Sequence, residues 1–476
     1  MNSPTTKPRD ATPDPSPGAA APIRYPPQIK YIIGNEACER FSYYGMLSIL
    51  TLYLKNAMGM DKAESTEVVH LFATAVYFLP LLGGWLADRW LGRYWTILSI
   101  SLFYCLGHGA LALFEGNLGG VYLGLGLIAI GAGGIKPCVS AFVGDQFTTH
   151  QESLLTRIYG WFYWAINLGA FFGYALIPLV RDRAGYSWAF GVPGIFMALA
   201  TLIFWLGRKH YIRQPPAGKA GGGGFFGVIW YSLTHRGERR AGQSFLDTAL
   251  MRYDREAVEG AKAVLGILMV FATMPVFWAL FNQVNTTWVL QGEKMIPFSL
   301  LGYKVDGERI QSISALLVMI WVPILTIWAY PLADRLGLRP TALRRMGTGM
   351  FLGAISFFIC GWIQSRMDAG QPMSLAWQVW PYIVLEAGEV MVSATALEFA
   401  FSQAPARMKS IIMSFWLMTI AGGHFLVAAF TNLNRRFVHA QGASEFLFYA
   451  VLMLVVAGVF VFLATRYRER TEGARG

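Results

Sequence analysis

The sequence predicts an all-α polytopic membrane protein, with twelve transmembrane helices in two six-helix bundles. Three observations predict it. Hydrophobic residues make up 55% of the 476 and charged residues only 14%, with a mean hydropathy of +0.42, whereas a soluble domain carries about 25% charged residues. Apolar runs of about 20 residues, enough to cross a bilayer, recur near 30–54, 65–87, 94–114, 119–143, 157–180, 188–207, 262–290, 310–333, 344–364, 376–402, 409–432 and 444–466. Finally, a short motif is repeated: "LADRWLGR" (Leu86–Arg93) follows the second run and "LADRLGLR" (Leu332–Arg339) the eighth.

Taken in order, residues 1–29 read as a disordered cytoplasmic tail, rich in Pro, Thr and Ala and without the apolar core of a cleavable signal. The first bundle covers 30–210 and the second 261–466. Between them, 211–260 is the longest connection; with its flanks it carries "GRKHYIR", "GGGGFF", "HRGERR" and about ten Lys or Arg, but no run long enough to cross. The excess of Lys and Arg in inside loops places this linker, both termini and the basic tail 467–476 in the cytoplasm, with the spans in the plasma (inner) membrane. A net charge of +11 falls between spans, so orientation explains it and nucleic acid is not an expected partner. Asp88 and Arg89, like Asp334 and Arg335, read as braces at helix ends. Cys38, Cys105, Cys138 and Cys360 lie in apolar spans without metal spacing and read as reduced thiols. Same-orientation repeats, one per half, resemble the pattern of the major facilitator superfamily.

A charge at a helix centre costs at least ~2.5–3.5 kcal/mol on insertion scales, so each needs a reason. Within spans stand Glu36, Glu39, Arg40, Lys136, Glu386, Glu389 and Glu398. Helical spacing puts Glu36, Glu39 and Arg40 on one face. One acid would suffice for a structural ion pair; a second carboxylate competing for the same guanidinium makes a site where a proton can replace a positive partner. The span directions put Lys136 and Glu398, one from each half, in the inner halves of their helices. Facing one cavity, they suit a zwitterion with amine and carboxylate ends; a ligand-free Lys–Glu bridge is the plainer alternative.

Longer motifs carry a resemblance. "ExxERFxYYG" is matched by Glu36, Glu39, Arg40, Phe41, Tyr43, Tyr44 and Gly45. "GAGGIKPCVSAFVGDQF" (Gly131–Phe147), "FYWAINLGA" (Phe162–Ala170), "FWALFNQ" (Phe277–Gln283) and "ALEFAFSQAP" (Ala396–Pro405) follow in order on successive spans. The chain resembles the proton-coupled oligopeptide transporter family. The resemblance implies a symporter that imports di- and tripeptides with protons by alternating access, needing no cofactor and no metal. It implies a proton site at Glu36, Glu39 and Arg40, exchanging partners with Lys136. Lys136 would help hold the peptide carboxylate and Glu398 its amino group, while Tyr43, Tyr44, Tyr77, Asn167, Trp278 and Trp416 line the pocket. Tyr and Asn offer adaptable hydrogen bonds, and Trp gives apolar walls. A transporter of another small solute, such as nitrate or a modified amino acid, is the alternative on the same fold. A membrane-embedded enzyme would need a nucleophile or metal constellation, and neither is seen.

The chain departs from its resemblance at several points. Leu47 stands where most of the family has Arg, and Asn282 where it usually has Asp or Glu. Losing both charges together avoids an unpaired buried one, so an outer gate closed by that ion pair is not expected. His70, in the first turns of the second span, is similar in position to the histidine of mammalian intestinal relatives and is the expected outer proton acceptor. Ser314 replaces a frequent Asn in the eighth span. The linker does not supply the extra inter-bundle helix pair of many bacterial relatives, and the stretch after the ninth span leaves no room for a large extracellular domain. "GLGLIA" and "GAGGIK" fit nucleotide motifs only formally; neither follows a strand, and close helix packing explains their small residues.

Overall fold

The structure, a computed structural model, describes residues 25–148, 151, 154–216, 224–238, 243–403 and 408–467. Most of the predicted tail 1–29, part of the glycine run, Ala404 and Pro405 of the "ALEFAFSQAP" motif and residues 468–476 lie outside them. The last residues of that predicted tail belong instead to the fold. Tyr25 packs on Trp161 with ring centroids 5.3 Å apart, the Gln28 side chain donates to Gln146, and Ile29 already opens the first helix.

The chain is an integral membrane protein by its helices. Among the described residues, seven are long and apolar enough to cross a membrane, or eight if the bent pair Arg255–Phe271 and Met274–Gly292 is one span. Two of the seven runs, Lys62–Leu113 and Arg157–Lys209, hold 52 and 53 residues, more than twice what one crossing takes. They change direction at glycines with positive φ, Gly92 (72°) and Gly185 (81°), which only a residue without a Cβ adopts cheaply. Ile29–Leu52 and Val379–Gln403, of 24 and 25 residues, have the length of a single crossing but bury acids. Helix starts follow local chemistry: Asp61 and Glu64 form a capping box ahead of Lys62–Phe78, and Asn117 accepts from the Gly120 amide at the head of Leu118–Asp145.

The hydrophobic core has two main parts, one built from residues between Ile29 and Tyr211, the other between Phe225 and Phe460. Smaller clusters join them, Leu52 with Val289 and Leu290, and Tyr174 with Ala315. Outside, Leu106, Ile327 and Val455 are more than half exposed, as lipid-facing side chains are. Small residues set close helix contacts. A Cβ on Gly169 would lie 2.4 Å from the Ala37 carbonyl oxygen, and one on Gly133 2.4 Å from the Leu79 Cβ. The second glycine belongs to "GAGGIK", so helix packing accounts for that motif.

Three features depart from straight helices. The linker 211–260 holds a Phe225–Thr234 helix, ten residues long, and a short turn of helix Phe245–Met251 before Arg255–Phe271 begins. The predicted run 262–290 is bent by 42° and loses α-helical geometry at Asn282–Thr286. A hairpin pairs Phe298–Leu300 with Tyr303–Val305, turning through Leu301 and Gly302, both at positive φ. This hairpin marks one end of the molecule, the hairpin end; residues 29 and 467 mark the other, the terminal end.

Candidate functional site

The first helix presents the acid cluster as its spacing requires. Arg40 Nε donates to Glu36 Oε1 at 2.8 Å and lies 3.2 Å from Glu39 Oε2. Both acids are buried, and neither oxygen of Glu39 makes a hydrogen bond among the described residues. Two carboxylates thus share one guanidinium, and Glu39 has the weaker hold on it. Contact between Gly169 and Gly173 on one side and Phe41 and Gly45 on the other fixes the rotation of this helix.

Lys136 stands beside Pro137 in Leu118–Asp145 and reaches no acid. Its Nζ lies 4.4 Å from the Tyr43 ring centroid and 4.6 Å from that of Tyr77, with no hydrogen bond among the described residues. Glu36, Glu39 and Arg40 are within its electrostatic reach. Ring faces hold a cation by their quadrupoles, so the amine is buried and paired to no carboxylate. Tyr44 packs edge-on against Tyr43 and beside Tyr174. Asn167 spends its amide on the Tyr163 carbonyl at 2.9 Å.

In the second half, Trp278 and Trp416 are buried edge to face at 5.7 Å, and Trp278 Nε1 has no acceptor among the described residues. Ser314 donates to Glu386 Oε1 at 2.5 Å, which leaves Glu386 Oε2 and Glu389 Oε2 without partners among those residues. Ser314 therefore serves an acid of its own half in this structure. Glu398 is 59% exposed at its side chain and paired with Arg345 at 3.0 Å. No bridge joins it to Lys136, so the plain Lys–Glu alternative does not hold in this conformation. Leu47 and Asn282 are both buried, and Asn282 Nδ2 has no partner among the described residues.

At the hairpin end the halves meet through polar contacts. His70 is fully buried; its Nδ1 lies 2.9 Å from His424 Nδ1 and its Nε2 2.9 Å from Thr286 Oγ1. The helix break at Asn282–Thr286 makes this possible. Non-helical backbone at membrane depth is tolerated where protein covers it, and here the Asn285 carbonyl accepts from Thr51 while its side chain accepts from Tyr174. Further out, Arg181 pairs with Glu308, and Arg309 with Asp182 and Asp306. Lys55–Glu293, Lys62–Glu445 and Arg435–Glu64 complete the bridging. Burial pushes the Glu308 carboxyl up to about 8, because three acids share two guanidinium groups there and Arg181 offsets the loss of water only in part.

His424, Thr286 and this charge cluster escaped the sequence reading. His424 could have been found by the rule that flagged Glu36, an ionisable group inside an apolar run, had it been applied to histidine. The "VRDR" and "DGERI" segments gave no sign of facing each other.

Long apolar helices around buried ionisable side chains define an integral membrane protein with a polar interior. The chain belongs to the POT family, whose model matches residues 94–447. It is 36% identical over 378 residues to "Solute carrier family 15 member 2" of Rattus norvegicus, covering 74% of this chain and 52% of that one. It is 38% identical over 372 residues to "Peptide transporter family 1" of Drosophila melanogaster, covering 73% and 49%. The chain thus spans about half the length of the curated relatives it matches. A crystal structure described as an auto-inhibited POT family peptide transporter superposes with a TM-score of 0.88 at 38% identity, covering 95% of this chain and 99% of that one.

Proposed function

We propose that the protein is a proton-coupled symporter that imports di- and tripeptides by alternating access. Twelve spans form two halves, 30–210 and 261–466, with no extra helix pair between them, in the plasma (inner) membrane. Both termini lie in the cytoplasm, so the hairpin end faces outward and this conformation is closed outside. The observation that carries the reading is Lys136, a buried cation held by two ring faces with no acid attached. Such an amine is ready to take a carboxylate that arrives with a guest, and the shared guanidinium of Arg40 stands near it. Glu398, held by Arg345 through an exposed pair worth about 0–1 kcal/mol, is cheaply released to a peptide amino group. The surplus acid of the Glu36–Glu39–Arg40 cluster takes the proton: protonating Glu39 removes its charge contact with Arg40 and leaves the guanidinium held by Glu36 alone. Tyr43, Tyr44, Tyr77, Asn167, Trp278, Asn282, Ser314 and Trp416 line the path, and His70 receives the proton from outside. The relatives named as peptide transporters support the substrate class.

The test is uptake of radiolabelled dialanine into proteoliposomes with an inward proton gradient, against a no-gradient control. Accumulation that needs the gradient and is lost in both Lys136→Ala and Glu398→Gln is the expected result. No dialanine uptake by folded protein at any pH overturns the reading in favour of another small solute.

A further inference from the structure

Resting on that proton-coupled reading, we infer that His424 is a second proton site, paired with His70 across the two halves, and that protonating the pair parts the halves at the hairpin end. The two imidazoles come from helices 354 residues apart in the chain and meet Nδ1 to Nδ1 at 2.9 Å. A nitrogen–nitrogen hydrogen bond needs one donor and one acceptor, so the contact holds a single proton. The opposite side of His70 is used as well, by the Thr286 hydroxyl at 2.9 Å.

Counting ring protons gives the consequence. With both rings neutral, one Nδ1–H donates to the other Nδ1. A first added proton goes to a ring's Nε2 and leaves the bridge in place, but a second must go to the accepting Nδ1. Two N–H groups then point at each other and the bridge is lost. Among the described residues, no acid within reach offsets the positive charge. The groups within electrostatic reach of His424 are His70 and Lys136, itself a cation. Tyr77 stacks on His424 with ring centroids 5.7 Å apart, and Tyr43 of the first helix packs against Phe72. The acids on the His70 helix are engaged further out, Glu67 with Asn432 and Glu64 with Arg435. Once the halves separate, water reaches both rings and each takes a proton near the ordinary histidine pKa of about 6.5. Acid therefore favours the parted state, by up to about tenfold in the equilibrium per pH unit for each proton taken up.

The experiment uses the full chain in proteoliposomes, with spin labels at Ala57→Cys and Gln441→Cys, exposed positions of the two halves at the hairpin end, and the half-buried Cys38 and Cys105 replaced by alanine. The population at long distance is followed from pH 7.5 to 5 in the otherwise unchanged protein, in His424→Asn and in His70→Gln. The expected result is acid opening that is shallower by about tenfold per pH unit in His424→Asn, and similarly in His70→Gln. Titration of Glu308 is common to all three and cancels in the differences. His424→Gln replaces the asparagine variant if that one fails to fold. An unaltered profile in the His424 variant, or no acid opening in the parent protein, overturns the inference. Dialanine uptake on the same preparations separates the two readings: a parent that accumulates dialanine with a gradient while His424→Asn keeps the parental profile leaves proton coupling standing and removes His424 from it.

Discussion

At the hairpin end, Lys55, Lys62, Arg181, Arg309 and Arg435 each reach an acid in the opposite half. At the terminal end, Arg93 and Arg345 find Asp145 and Glu398 within their own halves, and Lys262 finds Asp247 on the linker that leads into its half. Among the described residues, the ion pairs that join the halves are therefore confined to one end. The difference shows where this conformation is locked, and the burial of the pairs shows how unevenly. Exposed pairs such as Lys62–Glu445 contribute about 0–1 kcal/mol each. Glu308 has a side chain only 1% exposed, and removing the partner of a buried charge costs about 3–5 kcal/mol. The lock is concentrated there and at the His70–His424 contact.

The largest expected effect follows from that concentration. Above pH about 8, where the buried Glu308 is ionised, Arg181→Met strands its carboxylate only while the halves are together, so the closed hairpin end should lose about 3 kcal/mol, on the order of a hundredfold in population. The distance between labels at positions 57 and 441 would report it, and an unmoved distribution would place the lock elsewhere.

A pH effect of opposite sign to that of the histidines comes next. Glu308 moves from its usual 4.5 to about 8 when buried, so closing the hairpin end takes up a proton anywhere between those values. Its contribution to closure is full below 4.5 and fades as pH rises to 8. Glu308→Gln should remove that dependence and make opening on acidification steeper by about one proton; the same label distances across pH 5 to 8 would show it. The smallest effect is expected at the terminal end. Arg345→Ala breaks an exposed pair within one half, so the melting temperature should stay within about 2 °C of the parent, while Glu398 is left free for a substrate amine. A large loss of stability would mean that this pair braces the half.

Much of this was legible in the chain. The helices around 94–114, 119–143, 344–364 and 444–466 follow from apolar length alone, and the face shared by Glu36, Glu39 and Arg40 follows from helical spacing, because both depend on neighbours a few residues away. The break at Asn282–Thr286 did not show, since "FNQVNTT" reads as a continuous apolar-to-polar run; what stabilises the break is Thr51, Tyr174 and His70 arriving from the other half. The hairpin was hidden for a similar reason, with Tyr303 anchored on the Ala175 carbonyl of a distant helix. Glu398 stood out as a charge inside an apolar run, but its partner Arg345 did not, because a local pattern does not reveal which cation of a neighbouring helix lies within reach. The linker holds no run long enough to cross a membrane, yet its "FFGVIWYSL" stretch is apolar enough to fold as a ten-residue helix, which a search for spans alone passes over.

The resting place of Lys136 has a consequence for speed. A carboxylate that grips this amine and later leaves does not have to displace an acid of the protein on arrival, nor wait for one to return on departure. The amine falls back on the faces of Tyr43 and Tyr77, a hold of about 0.5–2 kcal/mol. On the proposed cycle, unloading and resetting of this amine are then one event, and the empty carrier turns around without first repairing an ion pair at Lys136.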